Sequence, residues 1–219
     1  MKNIMFIAPP AAGKGTQAEL VVEKYHIPHI STGDILREIA KEDSEIGQYV
    51  YETLASGKLV KDEITYQLIE ERLSQEDCNN GYILDGYPRN IEQAKIYEEL
   101  LTKLNKDLGV VIFLDIPRQV ALDRVLSRIV CPGCGTSYNL VEESLKPKKE
   151  GICDKCGVDL KVRSDDNSET FANRFDTYLN KTQSLIDYYK EKGVLKTIEI
   201  TAESTALSTF REIEEIINN

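Results

Sequence analysis

The stretch Ile4-Met5-Phe6-Ile7-Ala8-Pro9-Pro10-Ala11-Ala12-Gly13-Lys14-Gly15-Thr16 decides the fold of this chain. It opens as a short apolar run without charge, as a buried parallel strand does. It breaks at Pro9-Pro10 and re-forms as a helical pattern near Gly13, with Leu20, Val21 and Lys24 following. A strand, a tight small-residue loop and a helix start together make a phosphate site. Backbone N–H groups converge on the anion and the helix dipole adds partial positive charge. Lys14 then reaches bridging and terminal phosphates. The loop departs from G-x-x-x-x-G-K-[ST] in two places. Ala8 replaces the first Gly, and Gly15 replaces the hydroxyl residue, with Thr16 one place late. Ala8, Ala11 and Ala12 must avoid left-handed backbone angles or carry strain there. The competing reading is a Gly/Ala-rich turn before an ordinary helix.

Outward from this loop, apolar runs alternate with amphipathic ones. Strands are expected at 3–8, 27–30, 82–85, 110–115 and 194–200. Helices are expected at 14–25, from Ser31, and at 44–55, from Asp62, 90–104, from Pro117, 169–191 and 204–217. Asn79-Asn80-Gly81 reads as a turn. The long helix 169–191 carries Phe171, Phe175, Tyr178, Thr182, Leu185 and Tyr189 along one face. The alternation predicts an α/β, three-layer phosphate-loop fold with a five-stranded parallel sheet.

The chain has 219 residues, a net charge of −10 and an ordinary apolar fraction, which fits one soluble domain with insertions. The acidic balance argues against broad binding to nucleic acid or membrane surfaces. No apolar run approaches a membrane span, and a cytoplasmic location is expected.

From Cys131 to about Arg163 the periodicity stops. Cys131-x-x-Cys134-Gly and Cys153-x-x-Cys156-Gly are separated by eighteen residues, a spacing that fits a four-thiolate zinc site. Two disulfides or inert thiols are the alternatives, and the inferred compartment disfavours the former. Four thiolates leave no open position, so a zinc ion there is structural and holds together an insert too small for its own core. Cys78 reads as a packing or surface thiol, and His26 and His29 lack ligand spacing.

Several motifs now stand in order: 8–17 (Ala-Pro-Pro-Ala-Ala-Gly-Lys-Gly-Thr-Gln), 31–37 (Ser-Thr-Gly-Asp-Ile-Leu-Arg) and 57–60 (Gly-Lys-Leu-Val). Asp-Gly-Tyr-Pro-Arg (85–89), Gln93, Asp-Arg-Val-Leu-Ser-Arg (123–128), the cysteine pairs, Arg-Ser-Asp-Asp-Asn (163–167) and Arg174 follow. In this set the chain resembles the adenylate kinases of bacterial type with a long zinc-bearing lid, over essentially its whole length. The resemblance implies transfer of the terminal phosphoryl of Mg²⁺-ATP to AMP, giving two ADP, by a monomer. It implies a core of 1–30, 61–127 and 165–219, an AMP-binding unit at 31–60 and a zinc-binding lid at 128–164.

By the same resemblance, Ala11, Ala12, Gly13, Lys14, Gly15 and Thr16 cradle ATP phosphates. Arg124, Ser137 and Tyr138 attend the ATP base. Thr32 and Gln93 read the AMP adenine beside Lys58, Leu59 and Val60, and Arg37 and Arg89 clamp its phosphate next to Gly86, Tyr87 and Pro88. Arg128, Arg163 and Arg174 surround the transferring group. Asp85 orients water on Mg²⁺, and Asp165 and Asp166 close the lid. The bare residues leave alternatives open. Arg124 and Arg128 fit a solvated helix face, Asp115 competes with Asp85, and Asp165-Asp166 fits a helix N-terminal pair. The sequence departs from its relatives at Tyr87 (often Phe), at Ile129 (usually Arg) and near Thr201–Glu203, where a Gly is missing. The chemistry agrees with the resemblance: six of nine arginines fall in these motifs, although lysines are twice as many. The competing functions are a UMP/CMP-type kinase and, in another class, a zinc-ribbon nucleic-acid-binding module carried by the lid lysines.

Overall fold

The computed structural model describes residues 3–218. Strand β1 (Ile4–Ile7) feeds the phosphate loop and helix α1 (Lys14–Tyr25). Strand β2 (His29–Ser31) runs into α2 (Thr32–Ile39), whose N-cap Ser31 accepts a hydrogen bond from the Asp34 amide. Helices α3 (Glu45–Ala55) and α4 (Asp62–Leu73) follow. Then come β3 (Ile83–Asp85), α5 (Ile91–Lys103), β4 (Val110–Asp115) and α6 (Arg118–Leu126). The insert carries the antiparallel pair β5 (Arg128–Val130) and β6 (Ser137–Asn139). Helices α7 (Ser168–Thr177) and α8 (Ser184–Glu191), strand β7 (Leu195–Glu199) and α9 (Ala206–Asn218) complete the chain.

The main sheet is parallel with order β2-β3-β1-β4-β7, so β1 and its loop occupy the middle. Its side chains alternate strictly between two cores, as the strand period of two requires. Ile4, Phe6, Ile83, Ile112 and Leu114 pack with α1, α6 and α9 on one face. Met5, Ile7, Leu84, Val111 and Phe113 pack with α4, α5 and α8 on the other. Two small clusters stand apart: Leu36, Val50 and Val60 between α2, α3 and α4, and Cys131, Tyr138 and Cys153 in the insert.

The helix expected at 169–191 is not continuous. A π-helical turn at Tyr178–Thr182 divides it, where the Gln183 amide reaches back to the Tyr178 carbonyl. The six apolar-face residues are all buried, but not in one core. Phe171 and Phe175 belong to the first, Tyr178, Leu185 and Tyr189 to the second. The wide turn lies where the segment passes from one face of the sheet to the other. The expected turn at 79–81 begins earlier, as a 3₁₀ helix over Glu76–Asn80.

Gly109 enters β4 at φ +71°, and a Cβ there would lie 2.0 Å from the Asn3 carbonyl oxygen. That oxygen accepts the Val110 amide at 2.9 Å, so the backbones cannot part without losing the entry to the sheet. Gly109→Ala is therefore expected to destabilise the fold by more than about 2 kcal/mol. Urea unfolding of the two proteins measures it, and equal midpoints would contradict it.

Candidate active site

The phosphate loop keeps its shape through two left-handed residues, Ala11 at φ 62° and Gly13 at φ 94°. Glycine takes this angle freely, whereas Ala11 holds it at a cost of about 1 kcal/mol. Gly13 is also the N-cap of α1 and brings no side chain to the first amides, which stay available to an anion.

Lys14 Nζ lies 3.4 Å from the Ala8 carbonyl and 4.0 Å from Asp85 Oδ1. Burial pulls its ammonium down to about 8, against the opposing attraction of Asp85. Burial also acts to protonate Asp85, but Lys14 and His29 outweigh it and hold the carboxyl below its usual range. His29, given no role from sequence, lines the same cleft from β2, with Nε2 3.7 Å from Asp85 Oδ2. Asp115 ends β4 exposed and is absent from the cleft wall.

Arg37, Arg89, Arg124, Arg128, Arg163 and Arg174 converge with Lys14 on one cleft of about 460 Å³. Arg124 and Arg128 do not form a solvated face. Arg124 Nη2 donates to the Ser204 carbonyl at 2.8 Å, and Arg128 pairs through Nε and Nη2 with both oxygens of Asp166. Asp165 accepts from Arg163 Nε at 3.1 Å and from Arg174 Nη1 at 3.0 Å. Neither aspartate caps a helix; Asn167 does, accepting the Thr170 amide. Burial would raise Asp165, yet its two arginines drive it to about 2. Burial lowers Arg174 to about 10, with Asp165 opposing and Arg128, Arg163 and Arg89 adding repulsion. The cleft thus holds more fixed positive charge than its own carboxylates balance.

A second cavity opens between α2, α3 and α5 and shares Gly86, Arg37, Arg89 and Arg174 with the first. Thr32, Lys58, Leu59, Val60 and Gln93 line it. Pro88 lines a small adjoining cavity with Lys14, Arg89 and Arg174. Tyr87 does not join either seat. Its ring packs edge-on to Tyr97 at 6.1 Å within the second core, because the turn after β3 directs it inward. Ser137 and Tyr138 reach the first cleft, but the Tyr138 hydroxyl turns to the cysteines, accepting the Asp154 amide at 2.7 Å. Sequence reasoning missed Thr182, whose hydroxyl donates to the Arg89 carbonyl at 2.8 Å. One threonine on an otherwise apolar face was its only signal.

The four Sγ atoms of Cys131, Cys134, Cys153 and Cys156 lie within 4.8 Å of one another. Both turns share one backbone pattern. The carbonyl of Cys131 accepts the Gly135 amide and that of Cys153 accepts the Gly157 amide, each at 2.9 Å, with both glycines at positive φ. Sulfurs so spaced fit a tetrahedral thiolate site for a metal. The insert closes on the core through Lys155–Glu19 at 3.0 Å and through Glu142 Oε1, which accepts the Ala206 amide at 2.8 Å.

A glycine loop under a ring of guanidinium groups, with a second cavity opening on the same ring, defines a phosphate-loop phosphotransferase with adjoining seats. The adenylate kinase family profile matches residues 6–194. An adenylate kinase of Thermotoga neapolitana is 46% identical over 202 residues, 92% of this chain and 91% of that protein. One of Fervidobacterium nodosum is 47% identical over 197 residues, covering 90% and 89%. One of Geobacillus sp. strain WCH70 is 41% identical over 215 residues, 98% of each. The chain belongs to the adenylate kinase family and is a nucleoside monophosphate kinase. No described helix is long and apolar enough to cross a membrane.

Burial ties the charge of Lys14 to pH. Below about 8 its ammonium is present, and above that the free protein loses it. Affinity for ATP measured by calorimetry is expected to weaken as pH rises past about 8, approaching tenfold per unit. Lys14→Arg stays charged and is expected to lose this dependence. An affinity unchanged between pH 7 and 9.5 in the parent protein would contradict it.

Proposed function

We propose that this chain carries the terminal phosphoryl group of Mg²⁺-ATP to AMP, with the triphosphate in the larger cleft and AMP in the smaller. The carrying observation is the set of arginines shared by the two cavities. An attacking AMP oxygen and a breaking bond to the ADP leaving oxygen must lie on either side of one phosphorus, and the shared wall is where they meet. The AMP oxygen is already ionised, so no base is needed. As its bond to phosphorus forms, negative charge moves toward the β-phosphate, where the α1 amides and Lys14 receive it. Arg128, Arg163 and Arg174 offset charge on the equatorial oxygens, and their planar donors fix the phosphoryl in line. Arg37 and Arg89 hold the AMP phosphate. Thr32, Gln93 and the Lys58–Val60 loop segment face its base, and Arg124, Ser137 and Tyr138 face that of ATP.

Mg²⁺ supplies charge neutralisation on the phosphate oxygens, and the ionised carboxylate of Asp85, aimed into the cleft beside Lys14, suits its water shell. Gly15 provides no hydroxyl ligand, so nucleotide oxygens and water would mainly hold the ion, with Asp85 orienting that water. The four cysteines suit a structural zinc ion, and unpaired thiols accord with a reducing, cytoplasmic setting.

Residues 31–60 and 128–164 serve as closing units over the 1–30, 61–127 and 165–219 core. Each is built around a small cluster outside the two main cores, which suits hinged motion that excludes water from a reaction otherwise open to hydrolysis.

Purified protein with Mg²⁺, ATP and AMP is expected to yield ADP, and Lys14→Met to lower turnover roughly 10²–10³-fold. Absence of ADP from the folded parent protein would overturn the proposal. Removing the metal with a chelator is expected to lower the melting temperature and to open the 128–164 segment to protease first. Identical melting and digestion after confirmed metal loss would contradict the structural zinc site.

A further inference from the structure

The side-chain amide of Gln93 is 2% exposed and lines the smaller cavity. Its orientation is fixed by chemistry. On one side Oε1 accepts the Arg89 backbone amide at 2.7 Å, and a backbone N–H is only a donor. On the other side Nε2 donates to Asp62 Oδ1 at 2.6 Å, and a carboxylate is only an acceptor. Turning the amide over would set N–H against N–H at Arg89 and oxygen against oxygen at Asp62. Asp62 is the first residue of α4, so the helix start holds the carboxylate in place, and it does not itself line the cavity.

We infer that Asp62 is a specificity-determining positioning residue: it locks the Gln93 amide with its second N–H free for a ring-nitrogen acceptor. This rests on the assignment of the smaller cavity to the monophosphate. A free amide is ambivalent, because by flipping it can serve either pattern of a base edge. Adenine offers an acceptor at N1 and a donor at the 6-amino group. Hypoxanthine, of nearly the same shape, offers N–H at N1 and an oxygen at C6. A locked Nε2–H satisfies the first and meets the second donor to donor, leaving buried polar groups unpaired. The lock also joins base to phosphate, since the same Gln93 oxygen holds the backbone of Arg89, whose guanidinium Nε is anchored on the Gly86 carbonyl at 2.8 Å.

The test compares kcat/KM for AMP and IMP in the parent protein and in Asp62→Asn and Asp62→Ser. Both substitutions supply a side chain that can donate as well as accept, and both suit a helix start. The Arg89 amide still favours the original orientation in each, so the AMP:IMP preference is expected to fall severalfold, through loss on AMP and gain on IMP. A role in stability alone would lower both substrates together and leave the ratio as it was. An unchanged ratio in both variants, in protein that phosphorylates AMP, overturns the lock. A parent protein that does not phosphorylate AMP overturns the cavity assignment on which it stands.

Discussion

Everything in this molecule is arranged around buried positive charge that its own carboxylates do not balance. Eight lysine and arginine side chains line one cleft, and burial lowers several of them, Arg89, Arg124, Arg163 and Arg174 among them, with repulsion from neighbouring arginines adding to it at Arg89, Arg163 and Arg174. A chain of net charge −10 thus gathers six of its nine arginines into one cleft. Removing fixed charges from water is costly unless partners are supplied. Asp165 and Asp166 supply some, and the phosphates of two nucleotides would supply the rest. The protein half of the interaction is pre-formed, so little reorganisation is left for the moment of transfer.

The sheet explains how such a cluster is held. β1 delivers the loop at the centre, and β3 delivers Asp85 and then Arg89. The segment from α7 to α8 delivers Arg174 before its π-helical turn and Thr182 at the end of it. The strand backbones are fixed by two apolar cores, so the charged ends of these elements cannot retreat from one another. The insert, by contrast, has only a few buried side chains and its four sulfurs. At its far end it touches the core through Lys155 and Glu142, and at its base the buried Arg128–Asp166 pair holds it.

Much of this was legible in the residues. β4 is a charge-free run up to Asp115, and Ser31, Ser44, Asn90 and Asn167 announce their helices by capping them. The cysteine pairs declare their turns through the glycine that follows each. Four features were not legible, because each depends on what packs beside a residue rather than on its own pattern. Thr182 and Tyr189 share one helical face in sequence, yet a π turn lies between the two cores that the segment serves. Tyr87 stands within a phosphate motif but turns into the core toward Tyr97. Asp165 and Asp166 are open to two readings in sequence, lid-closing partners or a helix-start pair, and only the folded chain brings Arg128 and Arg174 to them. His29 was passed over because Asp85, whose carboxylate it approaches from the adjacent strand, is 56 positions away in the chain.

The measurement that addresses the charge imbalance most directly is calorimetric titration with diadenosine pentaphosphate across a series of salt concentrations. One molecule is expected to bind per chain, far more tightly than ATP alone, with an affinity that falls steeply as salt screens the cationic ring. Binding no tighter than that of ATP, or indifferent to salt, would contradict the account.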